Sequence, residues 1–288
     1  MCRAEKEGFI NIKNKKTGII IEFRSDVKYD NAKLEYKNKE VSLFNFKTDY
    51  SNQKVSVWGT EKDDNVYIKD SNVHTVHLKE GGDELCIENS SWVNLVSCDK
   101  DEHTRRYDTT TVIGYDANNS NPGSDHLVQS ERIAITNSEN KNSFSDLTLS
   151  AENICIDGVT LSNSSITGNE IVLNETTSNG NILTTSSLEN APGTVIYGDN
   201  VTSNNDKVTT QELYVDAGAV VNNAKLKTES LVVEHEGLVD NSLVITQKAL
   251  VNDIGNLGNS AVVTGKKENI ETWLEPETKG KYTVLETE

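Results

Sequence analysis

One pattern of apolar residues and asparagine recurs every 18 residues between positions 195 and 262. The segment "LYVDAGAVVNNAKL" begins at Leu213, and 18 residues later "LVVEHEGLVDNSLV" begins at Leu231. The apolar positions 213, 215, 221 and 226 recur at 231, 233, 239 and 244, and again at 249, 251, 257 and 262. Stepping back gives 195, 197, 203 and 208, where only Ser203 departs in type. Four units obeying one template indicate a repeat architecture in which successive units stack.

Each unit contains short runs in which apolar and polar residues alternate, which is the period of a β-strand with one buried face. Gly, Asn and Asp, which favour turns, join these runs. If one unit makes one lap of a coil, equivalent residues of successive laps pair as parallel strands, and no lap buries its apolar face alone. The sequence therefore predicts an all-β fold, a parallel β-helix (solenoid) with 17–19-residue rungs. The general rule for parallel crossovers makes it right-handed.

A second repeat lies upstream. The segment "DNVYIKDSNVHTV" begins at Asp64, and "DELCIENSSWVNL" begins 19 residues later at Asp83. Their apolar positions correspond, which predicts two rungs of a related coil. The two aspartates occupy equivalent places, so we expect them to stack at one corner. Stacked carboxylates repel each other unless water screens them or a cation bridges them, which makes Ca²⁺ the one ion worth testing there.

An asparagine precedes an apolar residue by three positions in each regular unit. In a coil these side chains stack at a corner, where Asn tolerates a left-handed backbone and its amide can bond along the column. We therefore predict a structural ladder rather than a ligand site, formed by Asn205, Asn223, Asn241 and Asn259.

The chain divides by pattern into four segments. The basic, strand-rich start suggests hairpins that cap the coil, and the charged end leaves the repeat and covers its last rung. Between them an irregular solenoid with a polar excursion at 99–143 precedes the regular β-helix. The predicted boundaries are 1–60, 61–144, 145–265 and 266–288.

The step L-x-V followed by V-x-N-x-x-L, at 195–262, resembles the β-helical repeats of filamentous-haemagglutinin-type adhesins. The segment "VDAGAVVNNAKL" also resembles the short rungs of bactofilins. Both resemblances imply a β-helical architecture, and neither family supplies catalytic residues to transfer.

The charge balance is strongly acidic. The net charge is −17, which disfavours binding to nucleic-acid phosphates or anionic membranes. No apolar run reaches transmembrane length, and the start "MCRAEKEGFI" shows no secretory signal. We expect an extracellular or cell-surface protein, with this chain as a piece of a longer one, and a cytoplasmic protein as the alternative.

Known reactive motifs are missing from the sequence. It contains no CxxC, GxSxG, GxGxxG or Walker loop. Free buried thiols are expected, with a Cys86–Cys98 pair across a rung as the alternative. His74 and His77 form an HxxH on a strand, where a separation of three places the side chains on opposite faces, so we expect surface histidines and no metal.

A charged cluster in the polar excursion is the candidate for catalysis. It could combine an acid, a base and a cationic clamp, as carbohydrate-cleaving sites do, although six charges in one loop are the ordinary composition of a solvated loop. Its members are Asp99, Asp101, Glu102, His103, Arg105 and Arg106.

The preferred function is a non-enzymatic adhesin-like solenoid without a required cofactor. It would bind a glycan or a protein through loops, chiefly 99–143 and 174–193. The alternatives are a polysaccharide lyase or hydrolase, such as a phage tail spike, and a bactofilin-like polymer that assembles end to end.

Overall fold

The computed structural model has a β-solenoid architecture of stacked parallel coils with about 9 turns, as the repeat predicts. Within the described residues there is no helix of any kind, and so none that is long and apolar enough to cross a membrane. The chain forms two compact units, Met1–Ala151 and Glu152–Glu288. The structure describes residues 2–6, 9–24, 31–37, 40–46, 55–79, 81–90, 92, 94–96, 109–115, 126–136, 143–187, 191–251, 255–264, 270–272 and 283–286.

The first unit is built from short strands. They are β1 (Cys2–Lys6), β2 (Phe9–Lys13), β3 (Ile20–Arg24), β4 (Lys33–Lys37), β5 (Glu40–Phe44), β6 (Val55–Trp58), β7 (Asn65–Lys69), β8 (Val73–His77), β9 (Glu84–Ser90), β10 (Asn94–Val96), β11 (Thr109–Tyr115), β12 (His126–Gln129), β13 (Arg132–Thr136), β14 (Ser143–Ser145) and β15 (Leu147–Ser150).

Antiparallel pairing dominates the start of the first unit. Strands β1, β2 and β3 form a meander, and β3 pairs with β6. The hairpin between β2 and β3 turns at Asn14, whose side-chain oxygen accepts a hydrogen bond of 2.9 Å from the backbone N–H of Lys16. Strands β4 and β5 form the second hairpin. Both hairpins lie within residues 1–60, the segment for which the sequence predicts hairpins.

Parallel rungs follow in two columns. One column runs β5, β7, β9, β11 and β13, and the other β6, β8, β10, β12 and β15. Val66 pairs with Leu85 and Val76 with Leu95, which confirms the 19-residue repeat. Strands β11, β12 and β13 lie within 99–143 and belong to these columns, so that segment is only partly a lateral excursion. Its rungs do not follow the 19-residue repeat, because Leu85 and Thr110 are register partners 25 positions apart.

The second unit has three strands to a rung. Its strands are β16 (Asn153–Asp157), β17 (Thr160–Ser162), β18 (Ser165–Gly168), β19 (Glu170–Asn174), β20 (Thr177–Asn179), β21 (Ile182–Thr185), β22 (Thr194–Tyr197), β23 (Thr202–Asn204), β24 (Lys207–Thr209), β25 (Glu212–Val215), β26 (Val220–Asn222), β27 (Lys225–Val233), β28 (Leu238–Asp240), β29 (Leu243–Val251), β30 (Ala261–Thr264), β31 (Ile270–Thr272) and β32 (Thr283–Glu286).

The register of these strands confirms the 18-residue template. Val195 pairs with Leu213, Leu213 with Leu231, and Leu231 with Ala249. Each of these side chains is fully buried, and its neighbours in sequence are more exposed. The inward column continues back to Ile171 at the same level of burial. Like side chains therefore stack on like, and this shared core makes one rung depend on the next.

The two described cysteine side chains are free, as expected, but neither is fully buried. Cys86 is a half-buried free thiol, and Cys155 is an exposed free thiol rather than a buried one. Cys155 lies on β16 between the inward residues Ile154 and Ile156, so strand alternation turns it outward. Cys98 lies outside the described residues. Because Cys86 is a free thiol, the alternative of a Cys86–Cys98 pair is not supported.

Candidate functional site

An open groove of about 570 Å³ crosses several rungs of the second unit. It follows the bend at which β24 gives way to β25 and at which β27 and β29 change direction. Three successive rungs each contribute three adjacent residues, a buried threonine between two more exposed residues, and Thr185, Val263 and Thr264 complete the lining. The threonines form its floor, one bank is Thr209, Lys227, Ile245 and Val263, and the other bank is Gln211, Glu229 and Gln247.

The floor threonines fix the bend. The hydroxyl of Thr210 donates to the carbonyl of Gly193 at 2.8 Å, and the hydroxyl of Thr228 donates to the carbonyl of Gln211 at 2.9 Å. Thr246 repeats the contact with Glu229 at 3.3 Å. Because these hydroxyls bind the backbone of the neighbouring rung, a ligand in the groove would be contacted chiefly by the banks.

The outward face beside the groove is ordered along the coil. Two adjacent columns of outward positions meet there, and we call them the outer strip: Lys207, Lys225, Leu243 and Ala261 in one, and Thr209, Lys227, Ile245 and Val263 in the other. The three lysines are exposed, and within the described part of the chain no ion pair engages them. Leu243 and Ile245 are 38% and 43% exposed. The outer strip is thus basic on two rungs and aliphatic on the next two.

Asp64 and Asp83 lie at one corner of the first unit, on successive rungs. The backbone N–H of Asp64 donates to the Asp83 carboxylate at 2.8 Å, and the Thr60 N–H and hydroxyl donate to the Asp64 carboxylate. Burial raises the pKa of Asp64, and the hydrogen bonds from Thr60 oppose that rise. These contacts give both carboxylates a role in holding the corner. Calcium binding there stays an alternative to the preferred interpretation without a cofactor.

The predicted asparagines share the corner that precedes the groove strands. Asn205, Asn223 and Asn241 have φ of 60°, 53° and 48°, in the left-handed region that asparagine tolerates, whereas at the last rung Gly258 adopts φ of 51° next to Asn259.

The amides of these asparagines differ from the predicted ladder. The Asn205 amide donates to Asn179 at 3.3 Å, and the Asn241 amide donates to Asn222 at 3.4 Å. Asn259 donates to Asp240 at 3.1 Å. Each bond therefore crosses to the column one residue earlier instead of joining like residues, because the turn orients each amide toward that neighbour.

A buried polar column follows the asparagines by one residue. Asp206 is fully buried, and its carboxylate accepts hydrogen bonds from the hydroxyls of Ser178 and Ser203 at 2.5 and 2.7 Å and from the N–H of Asn181 at 2.8 Å. The fully buried Tyr197 hydroxyl lies 3.3 Å away. Sequence reasoning missed this network, although the residue after each ladder asparagine is small or polar at the same spacing.

One cluster has the donor set of a metal site. Asp216, Glu234 and His235 place one ligand atom each within 4.8 Å of the others. An imidazole with two carboxylates suits zinc and similar ions. Asp216 is already engaged, because it bonds His235 Nδ1 at 2.6 Å and the Ala217 N–H at 2.7 Å. His235 therefore lies beside two acids. Exposed acids of this kind are common without an ion, and we assign none.

The remaining candidates from the sequence are a charged cluster, two histidines and the segment 174–193. The charged cluster from Asp99 to Arg106 lies outside the described residues, so catalysis there stays a hypothesis. His74 is exposed and His77 is half-buried. In the segment 174–193, β20, β21 and the last residue of β19 belong to a rung, so its first part, up to Thr185, is rung rather than loop.

Comparison with known proteins adds no assignment: no family model, no curated protein and no solved structure matches this chain.

Proposed function

We propose that this chain is a non-enzymatic, adhesin-like β-solenoid, secreted or displayed at a cell surface, which binds an extended glycan or protein ligand along the groove of its second unit. The groove itself is the observation that supports this function most. It repeats its lining over several rungs, and its banks offer a lysine, a glutamate, amides and aliphatic side chains in one open channel. Such a surface suits a chain-like ligand better than a compact one.

The groove replaces the loops as the proposed binding surface. The described residues of 99–143 lie mostly in the rung strands β11, β12 and β13, and β20 and β21 within 174–193 also belong to rungs, whereas the groove is lined wholly by described residues. The bank residues, in contrast, are outward positions of the stacked strands, where substitutions leave the core untouched. Function at these positions is compatible with the regular scaffold beneath them.

A matched pair of substitutions tests the groove. Ile245 lines it and is 43% exposed, whereas Trp58 is 36% exposed on a strand of the first unit and lies outside the lining. The wild-type chain, Ile245→Asp and Trp58→Asp are applied to arrays of glycans and of peptides. We expect at least one ligand class whose binding is weakened about tenfold or more by Ile245→Asp and is unchanged in Trp58→Asp.

Three outcomes would overturn the proposal. In the first, no ligand on either array distinguishes the two variants. In the second, incubation with a panel of acidic polysaccharides releases products, which would identify a lyase or hydrolase. In the third, electron microscopy shows filaments joined end to end, which would favour the polymer alternative.

A further inference from the structure

The basic half of the outer strip, Lys207, Lys225 and Lys227, carries mutual charge repulsion that an anionic partner would relieve. Lys207 and Lys225 pair in register on adjacent parallel strands, about 4.8 Å apart. Like charges directly opposite each other destabilise a sheet. Lys227 adds a third charge two residues along the same strand as Lys225, and no ion pair with a described residue relieves any of them. Anionic groups lying across these two rungs would remove the repulsion.

The aliphatic half of the outer strip is exposed on the following rungs. Leu243 and Ile245 are among the large apolar side chains most exposed in the described residues, and Val263 continues their surface on the next rung. Clustered exposed apolar side chains mark interaction surfaces more often than isolated ones do. The apolar and basic halves adjoin, since Lys225 pairs with Leu243 and Lys227 with Ile245.

The order of the two halves defines the direction of the ligand. The change from lysine to aliphatic side chains occurs from rung to rung, and therefore perpendicular to the strands. Four rungs at about 4.8 Å span about 14 Å from first to last. A ligand that meets both halves lies across the strands and is held by side-chain contacts, not by extending the sheet.

A polypeptide matches this surface better than a glycan does. Proteins commonly present aromatic rings to sugar faces, and the groove lining and the outer strip contain no aromatic residue among the described positions. Aliphatic side chains at successive rungs instead match aliphatic side chains of a peptide, which bury apolar surface without a directional requirement.

We propose that the occupant of the groove is a polypeptide segment in which acidic side chains are followed by aliphatic ones, its carboxylates at Lys207, Lys225 and Lys227 and its aliphatic groups at Leu243 and Ile245. This inference rests on the proposed binding function and names its ligand class. The net charge of −17 opposes the approach of any acidic ligand, so the affinity depends on the local contact. A peptide with acids but no aliphatic half therefore binds poorly.

The experiment measures fluorescence anisotropy of labelled peptides with the full chain. The probe has about twelve residues, enough to span the groove whether extended or helical, with Glu and Thr alternating in its first half and Val and Thr in its second. A second probe carries Lys in place of Glu, and a third carries Ser in place of Val. We expect the first probe to bind about tenfold or more tightly than either of the others.

Charge reversal provides the matched variants. We expect the double variant Lys225→Glu/Lys227→Glu to bind the acidic probe with about tenfold lower affinity than the wild-type chain. It should also bind the lysine probe more tightly than the wild-type chain does. Lys13→Glu with Lys15→Glu makes the same change of charge in the hairpin of the first unit and is expected to leave both affinities nearly unchanged.

The outcomes separate this inference from the proposed function. Equal binding of the acidic and lysine probes, or an unaltered affinity in the Lys225/Lys227 variant, overturns the acidic-peptide assignment. If an anionic glycan binds instead and Ile245→Asp abolishes that binding, the groove function stands and the peptide assignment fails. If no ligand responds to Ile245→Asp, both fail.

Discussion

Asp206 accepts a hydrogen bond of 2.5 Å from the hydroxyl of Ser178 on the preceding rung, although both side chains are completely buried. Ser203, Tyr197 and the N–H of Asn181 direct further donors at the same carboxylate. One acidic side chain thereby joins two rungs in the interior of the second unit. A buried carboxylate is costly unless such donors surround it, so the network and the acid depend on each other.

Removal of the Asp206 carboxylate is expected to destabilise the chain strongly. In Asp206→Ala three hydroxyls and one N–H lose their acceptor in the core, at a cost on the order of 3 kcal/mol in the free energy of unfolding. Asp206→Asn keeps an acceptor, and the hydroxyls can rotate to accept from its amide, so it should cost less. Equilibrium urea unfolding at neutral pH measures both. Equal losses for the two variants would contradict this role of the network.

The pH dependence of stability tests the same residue. Burial raises the pKa of Asp206 above its ordinary value of 3.8, and the hydrogen bonds from Ser178 and Ser203 oppose the rise. The folded chain therefore holds the proton more tightly than the unfolded chain. The contribution to stability is present in full below pH 3.8 and is lost as the pH rises through the raised folded pKa.

The Asp206→Asn variant has no titrating group at this position, so its free energy of unfolding should lack the pH-dependent contribution of Asp206. The difference in free energy of unfolding, wild type minus Asp206→Asn, is expected to fall as the pH is raised from below 3.8 toward neutrality. Other acids affect both proteins alike and cancel in the difference. A difference that stays constant, or one that grows with pH, would refute the raised pKa.

Two glycines of neighbouring turns should respond differently to alanine. A Cβ on Gly237 would lie 2.2 Å from the carbonyl oxygen of Val215, a backbone atom of the adjacent rung, so the rungs would have to separate. A Cβ on Gly218 would meet its nearest atom at 3.8 Å, and only its φ of 75° disfavours alanine. We expect Gly237→Ala to cost about 3 kcal/mol and Gly218→Ala about 1 kcal/mol. Thermal and urea unfolding should rank them in that order, and a reversed order would show that rung spacing is not limiting.

The inward half of the fold could be predicted from sequence because stacking imposes it. Val195, Leu213 and Leu231 must resemble one another to fill the same layer of the core, so their spacing reveals the register. Rungs such as β11 were not recognised, since Thr110 follows its partner Leu85 by 25 residues whereas Leu85 follows Val66 by 19, so no fixed period survives.

The outward half could not be predicted in the same way. Lys227 and Ile245 are register partners on one column, yet one is charged and the other apolar, because water tolerates either. The groove and the outer strip consist of such positions, and only the three-dimensional stacking brings them together. Asp206 is an intermediate case: its column is visible as small or polar residues after each ladder asparagine, but its donors come both from its own rung (Tyr197 and Ser203) and from the preceding one (Ser178).

The longest rung of the second unit contains seven removable residues. Leu183 and Val195 are inward neighbours twelve residues apart, whereas Val208 and Leu213 occupy the same two positions five residues apart. The hydroxyls of Thr185 and Thr210 lie 2.7 Å apart, so these two residues are equivalent. The Gly193 carbonyl accepts hydrogen bonds from two backbone N–H groups of the next rung, and the Gln211 carbonyl does the same one rung later, so Gly193 and Gln211 are also equivalent. The additional residues are therefore 186–192.

Deletion of 186–192 should leave the fold intact. It joins Thr185 to Gly193 in the arrangement that Thr210 and Gln211 already have, at the loss of the Ser186 contacts with Gly168 and Asn169. We expect a change of less than about 1 kcal/mol in the free energy of unfolding and unaltered groove binding, since a shorter connection also loses less entropy on closure. Deletion of 211–217 removes the same number of residues from a regular rung, shifts the register and should abolish cooperative unfolding. If the 186–192 deletion instead removes ligand binding while cooperative unfolding is retained, recognition belongs to that segment and not to the groove.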